Sequence, residues 1–214
     1  MRYPDFKRQM RSFPIITKNL LESLGEDRRV LRNQLSRWQK QELVVQLKRG
    51  VYLLNRDDRA IQPSRFFLAN QLLFPSYVSL ESALAFYHII PEAVYQVTSV
   101  TTGKTARYSS AEGTFGFRHV KQPLFFGFET RQDERGLNVM LAEPEKALLD
   151  FLYLNLAQFS SEDSEIFTNS YRFSNLESLR PERLLTYTSR FESAKLERVM
   201  AMFVRTHLGE AAHA

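Results

Sequence analysis

The side chains best suited to chemistry fall in one stretch, residues 28–40. At about 100° per residue, a helix there gathers Arg29, Asn33, Ser36 and Lys40 into a sector about 60° wide, flanked by Arg32 and Arg37. Leu31, Leu35 and Trp38 fall in a sector of similar width on the opposite side. The polar side carries no acid. Arginine presents a planar fork that fits the guanine edge, asparagine pairs in two places with adenine, and lysine and serine suit phosphate oxygens. Taken alone, this face equally describes a solvated basic surface. Its neighbours shift the balance towards duplex DNA. Thr17 and Lys18 open a shorter helix just before it, Arg28 stands at its start, and Lys48-Arg49 marks the tip of a hairpin just after it.

Other chemistries find less support. Glu143-Pro144-Glu145-Lys146 with Asp150 invites a magnesium-dependent nuclease, because paired carboxylates and a lysine can hold a metal and activate water. No Glu-x-Lys tripeptide occurs, and the nearest upstream acids, Asp133 and Glu134, fall in a turn. Acids around Pro144 at a helix start are also what capping and the helix dipole would place there. No phosphate-binding loop of the glycine-lysine type and no Gly-x-Ser-x-Gly elbow is present. The chain has no cysteine and 4 histidines, none paired at ligand spacing, so no metal, cofactor or catalytic residue is expected. His88, near the end of an apolar helix, reads as packed or capping. His119, beside Arg118 and Lys121 on a strand, reads as part of a solvated strand face. The phenylalanines crowded over 115–128 read as sheet core.

Several elements must position the candidate side chains. Phe6 and Met10 suit a short helix over 5–10, and 13–16 is extended. Thr17 caps a helix carrying Leu20, Leu21 and Leu24, with Gly25 behind it, and Glu26-Asp27 opens the helix over 28–42. Two β-prone runs, 43–47 and 51–54, flank a turn at Lys48-Arg49-Gly50. Three helices and a hairpin in that order predict a winged helix-turn-helix over 1–60.

A polar linker at 56–62 leads into 63–214, predicted as a mixed α+β domain with a central sheet. Helices are expected from Pro63 to Pro75 and from Ser79 to Tyr87. Strands are expected over 94–102, 105–108, 114–120, 124–130 and 137–142, with Val78 extended. A helix follows from Pro144 through Leu152. Beyond a polar stretch at 160–164, two more lie near 181–190 and 192–208, the last ended by Gly209. Charge divides along the same line. Residues 1–60 hold 14 Lys and Arg against 7 Asp and Glu, a net of +7; the remainder holds 15 against 17, a net of −2. A polyanion partner is therefore expected for the first part. No apolar run approaches the ~20 residues of a membrane span, and no leader is evident, so the cytoplasm is the default compartment and no membrane partner is expected.

Over residues 3–157 the sequence resembles the AbiEi family, the antitoxins of type IV toxin–antitoxin systems. The motifs are Lys48-Arg49-Gly50-Val51-Tyr52, Ser79-Leu80-Glu81-Ser82-Ala83-Leu84, Val97-Thr98-Ser99-Val100-Thr101-Thr102, Gly113-Thr114-Phe115 and Ala142-Glu143-Pro144-Glu145-Lys146-Ala147-Leu148-Leu149-Asp150. The resemblance implies a repressor of its own operon, bound to double-stranded operator DNA. It also implies a C-terminal antitoxin domain that opposes a nucleotidyltransferase-like toxin without forming a stable complex. It places DNA contacts at Arg28, Arg29, Arg32, Arg37, Lys48 and Arg49. Two alternatives remain: a metal-dependent nuclease delivered to DNA by the first domain, and a protein-interaction module.

Overall fold

The computed structural model describes residues 1–159 and 173–208; the expected polar stretch at 160–164 and the helix end at Gly209 lie outside them. Among the described residues the chain is mixed α+β, with eight α-helices and sheets of three and six strands.

The smaller sheet is built first. Helix α1 (Tyr3–Met10) buries Phe6 and Met10. It starts two residues earlier than predicted because Pro4, which needs no amide hydrogen, fits its first turn. Strand β1 (Ile16–Thr17) leads into α2 (Lys18–Glu22), where the Thr17 hydroxyl accepts from the Leu20 amide at 3.4 Å. Helix α3 (Arg28–Lys40) begins at Asp27, whose carboxylate accepts from the amides of Arg29 and Val30 at 2.9 and 3.0 Å. Such a cap contributes about 1 kcal/mol. The helix stops at Lys40, short of Glu42, which adopts a left-handed conformation with φ 58°. Strands β2 (Val44–Lys48) and β3 (Val51–Leu54) form the hairpin, and the sheet order is β1-β3-β2. Leu31, Leu35 and Trp38 pack with Phe6, Ile16, Val44 and Leu54, the Phe6 and Trp38 rings lying 4.8 Å apart.

The larger sheet comprises β4 (Ser76–Val78), β5 (Gln96–Thr101), β6 (Ala106–Ser110), β7 (Gly113–His119), β8 (Phe128–Gln132) and β9 (Asn138–Ala142), in the order β6-β7-β5-β4-β9-β8. The β5–β7 and β4–β9 pairs are parallel and the rest antiparallel. Helices α4 (Arg65–Leu72), α5 (Leu80–Phe86), α6 (Pro144–Leu154), α7 (Pro181–Ser189) and α8 (Ala194–His207) complete this part. The β4–β9 pairing is brief, Val78 opposite Leu141. Asn70 of α4 supplements it, accepting from the Met140 amide at 2.7 Å and donating to the Ser76 and Met140 carbonyls.

Three local expectations are corrected. The predicted strand over 124–130 begins only at Phe128, because Pro123 sits in a 3₁₀ turn and Gly127 takes φ 69°. The last helix begins at Ala194, since Ser193 caps it through the Leu196 amide and Glu192 adopts φ 49°. Residues 56–62, expected as a polar linker, are pinned to both sides, although Arg56, Asp57 and Ala60 stay exposed. Arg59 is buried and pairs with Glu112 at 2.5 Å, Asp58 bonds Tyr3 and Lys7 of α1, and the Ala60 amide donates to the Arg11 carbonyl. Those bonds hold Asp58 below the usual carboxylate range, Lys7 being the larger cause and Tyr3 the next.

The two apolar clusters meet at the hairpin. Val44 and Leu54 face the first, whereas Leu47, Val51 and Leu53 belong to the second with Leu68 and Phe117. Removing the Leu53 side chain should therefore loosen both. We expect Leu53→Ala to cost about 2–5 kcal/mol. Trp38 fluorescence and far-UV circular dichroism should still report one shared urea midpoint. A variant in which Trp38 fluorescence keeps the parental midpoint while the dichroism midpoint falls would show that the hairpin does not couple the clusters.

Candidate nucleic-acid interface

Capping at Asp27 and burial of Leu31, Leu35 and Trp38 fix the roll of α3. Roll decides which side chains meet solvent. Arg28, Arg29, Arg32, Asn33, Ser36, Arg37 and Lys40 are all exposed. These seven of the eleven candidate contacts share one helix.

The other four occupy its flanks. Thr17 is half-buried and its hydroxyl is occupied in capping α2. Lys18 is exposed at the first position of α2, and Arg49 is exposed at the hairpin turn, where Gly50 takes φ 80°. A groove of about 720 Å³ runs between α2, α3 and the hairpin. Lys18, Arg28, Arg32, Lys48 and Arg49 line it together with Glu22 and Glu26, with the buried Leu21, Leu31 and Leu35 beneath.

Lys48 is a correction. The sequence places it at the hairpin tip, reaching outward beside Arg49. The structure places it at the end of β2, with its ammonium group donating to the Leu72 carbonyl at 2.5 Å and lying 5.8 Å from the centre of the Tyr108 ring. An open carbonyl at the end of α4 and an aromatic face together attract a cation, so Lys48 is turned towards the larger sheet. Arg49 remains as the outward cation of the turn.

Glu22 escaped the sequence reading. One of its carboxylate oxygens lies 2.9 Å from Arg28 and 3.7 Å from Lys18, so both cations share a counter-ion on α2. Lys18 and Arg28 are largely exposed and Glu22 is about one third exposed, and a surface pairing of this kind contributes ~0–1 kcal/mol. The signal was Lys18 and Glu22 at four-residue spacing, with Arg28 across a short turn.

The Glu143–Asp150 segment is drawn largely into the core. Glu143 stands at the N-cap of α6 as expected, but its carboxylate makes no capping bond; it pairs with α7, through Arg183 at 2.9 Å and the Tyr187 hydroxyl at 2.5 Å. Glu145 is buried and accepts from the Arg180 amide at 2.8 Å. Lys146 and Asp150 form an ion pair with both side chains 0% exposed. The Tyr77 and Ser79 hydroxyls donate to Asp150 at 2.9 and 2.8 Å. Burial pushes the Lys146 ammonium below its ordinary range and the Asp150 carboxyl above its own, each opposed by the other's charge. Among the described residues no three His, Asp or Glu side chains converge as metal ligands. Two ionisable residues four apart on a helix otherwise lined by Ala147, Leu148, Leu149, Phe151 and Leu152 signal a buried pair.

The remaining expectations divide. Of the phenylalanines over 115–128, Phe115 and Phe117 are buried in β7 as predicted, whereas Phe125 and Phe126 are half-buried outside the strands and Phe128 is half-buried on β8. His88 is exposed rather than packed, and at φ 57° it sits in the capping turn after α5, its amide donating to the Ala85 carbonyl at 3.0 Å. His119 is exposed and its Nδ1 donates to the Gly103 carbonyl at 2.8 Å, while Arg118 donates to the Leu154 carbonyl at 2.9 Å.

No protein-family profile matches the chain, and no curated protein matches it.

The buried pair allows a test by double-mutant cycle. Asp150→Asn should cost about 3–5 kcal/mol in urea denaturation, since it leaves an ammonium group buried without its counter-charge. Adding Lys146→Met to Asp150→Asn should recover part of that loss. A double variant destabilised by the full sum of the single losses would show that the two groups do not interact.

Proposed function

We propose that residues 1–60 form a winged helix-turn-helix and that the chain is a sequence-specific repressor that binds duplex DNA. The observation that carries this reading is the division of α3. Seven polar or cationic side chains without an acid face solvent, while three apolar ones anchor the opposite side. The order α1-β1-α2-α3-β2-β3, with Arg49 at the hairpin turn, supports it. In this reading α3 enters the major groove, Arg29 and Asn33 read base edges, and Arg32, Ser36, Arg37 and Lys40 hold phosphates or neighbouring bases. Arg28 and Lys18 leave Glu22 for phosphate.

The motifs that resemble the AbiEi family support a narrower version. The chain represses its own operon, and residues 63–214 oppose a nucleotidyltransferase-like toxin without a stable complex. This version places the protein in the cytoplasm. A neighbouring gene for a nucleotidyltransferase-like protein, and rescue of cells from that protein by this chain, is the corresponding genetic test.

The DNA reading is tested with the full chain. A site enriched from a random-sequence duplex library should be bound at least about a thousandfold more tightly than random duplex. Arg29→Ala with Asn33→Ala should collapse that ratio, at about 1–3 kcal/mol for each lost contact, with an unchanged melting curve. Full discrimination by the double variant would remove α3 as the reader.

The hairpin gives a second expectation. Arg49→Ala should weaken binding to all duplexes and make the salt slope shallower by about 1. Lys48→Ala should instead lower the melting temperature and leave the slope unchanged, because its ammonium group faces Leu72 and Tyr108. A slope change for Lys48→Ala equal to that for Arg49→Ala would return Lys48 to the interface.

A further inference from the structure

Phe74, between α4 and β4, is 89% exposed. Leaving such a ring in water forgoes the stabilisation of burying it, yet the chain around it is held in place. The Leu72 carbonyl accepts from Lys48 of the hairpin at 2.5 Å, the Leu73 carbonyl from Ser76 at 2.6 Å, and the Pro75 carbonyl from Thr101 at 2.7 Å. Side chains from β2, β4 and β5 thus fix the backbone on both sides of the ring, which is presented by a rigid frame.

Those same bonds connect the hairpin to a second set of cations. Thr101 also accepts from the Gly103 amide at 3.0 Å, and the Gly103 carbonyl takes the His119 ring. Lys104, His119 and Lys121 are exposed around this turn between β5 and β6. Between residues 96 and 128 the sole acid is Glu112, and it is committed to Arg59. A rigidly held, exposed aromatic side chain, with Lys48 bound to the chain on one side of it and Lys104 and Lys121 reached through Thr101 and Gly103 on the other, fits duplex DNA. Phosphates answer the lysines and base faces answer the ring.

We propose that the duplex-binding surface continues past Arg49 onto the larger sheet, with Phe74 as an apolar wedge or stacking side chain and Lys104 and Lys121 as phosphate contacts. This rests on the DNA-binding reading above and extends it to DNA flanking the segment read by α3. The larger sheet then adds affinity and footprint length without adding base-edge specificity.

The test uses the full chain and a 30-base-pair duplex carrying the enriched site at its centre. The chain has one tryptophan, the buried Trp38, so F74W adds an exposed emitter. On saturation with duplex, the emission that F74W adds should be quenched while parental emission stays constant. Lys104→Gln with Lys121→Gln should make the salt slope shallower by about 2, with melting unchanged. On a duplex trimmed to the segment covered by α3, that slope difference should vanish. If the parent binds but the F74W emission is unmoved, or the slope is unchanged, the extension is wrong and the DNA reading stands. If the F74W emission instead shifts with protein concentration without DNA, the surface joins two copies of the chain and the proposal is overturned. A parent that binds no duplex sinks the underlying reading first.

Discussion

One strand pair has to satisfy two apolar clusters at once. A β-hairpin presents alternate residues to opposite faces, and here neither face is left to solvent over most of its length. Val44 and Leu54 close the cluster around Trp38, while Leu47, Val51 and Leu53 reach the cluster around Phe117. A slip of one residue in the β2–β3 register would exchange the two sets and disrupt both clusters together. The orientation of α3, the direction of Lys48 and the placing of the loop with Phe74 all follow from where this hairpin is allowed to sit. The burial of Arg59 beside Glu112 is part of the same junction. What the sequence marks as a polar link is a clasp.

The electrostatic pattern follows from this division. Cations that face solvent on α3 leave that helix free of acids, and the acids nearby are assigned elsewhere. Asp27 caps, Asp58 holds α1, and Glu22 shares itself between Lys18 and Arg28. Deep in the larger part the logic reverses. There Lys146 and Asp150 are fully enclosed, and their charges count through each other and through the hydroxyls of Tyr77 and Ser79. One chain thus uses lysine in three ways: exposed on α3, turned inward at β2, and buried in α6.

Much of this was legible in the sequence, and for identifiable reasons. The core face of α3 was plain because Leu31, Leu35 and Trp38 share one sector. The α+β character was plain because period-2 runs and helical spacings alternate beyond residue 63. Helix and strand ends were harder, since left-handed residues such as Glu42 and Glu192 leave no composition signal. Lys48 was misjudged because its partners, the Leu72 carbonyl and the Tyr108 ring, are distant in sequence. A backbone carbonyl has no signature in side-chain letters. Of the Glu143–Asp150 stretch, the apolar helix around Lys146 and Asp150 signals burial, but their hydroxyl partners do not show, because Tyr77 of β4 and Ser79 just after it lie 73 and 71 residues away from Asp150 in sequence.

The central strand of the smaller sheet, β3, lies between β1 and β2 with both faces packed. Its amides have no route to solvent that spares the rest of the molecule. Local breathing, which most small sheets permit at an edge, is here tied to rupture of both clusters. Hydrogen exchange at Tyr52 and Leu53 would then proceed only through whole-molecule opening, placing a slow internal clock beside the chain's most cationic face.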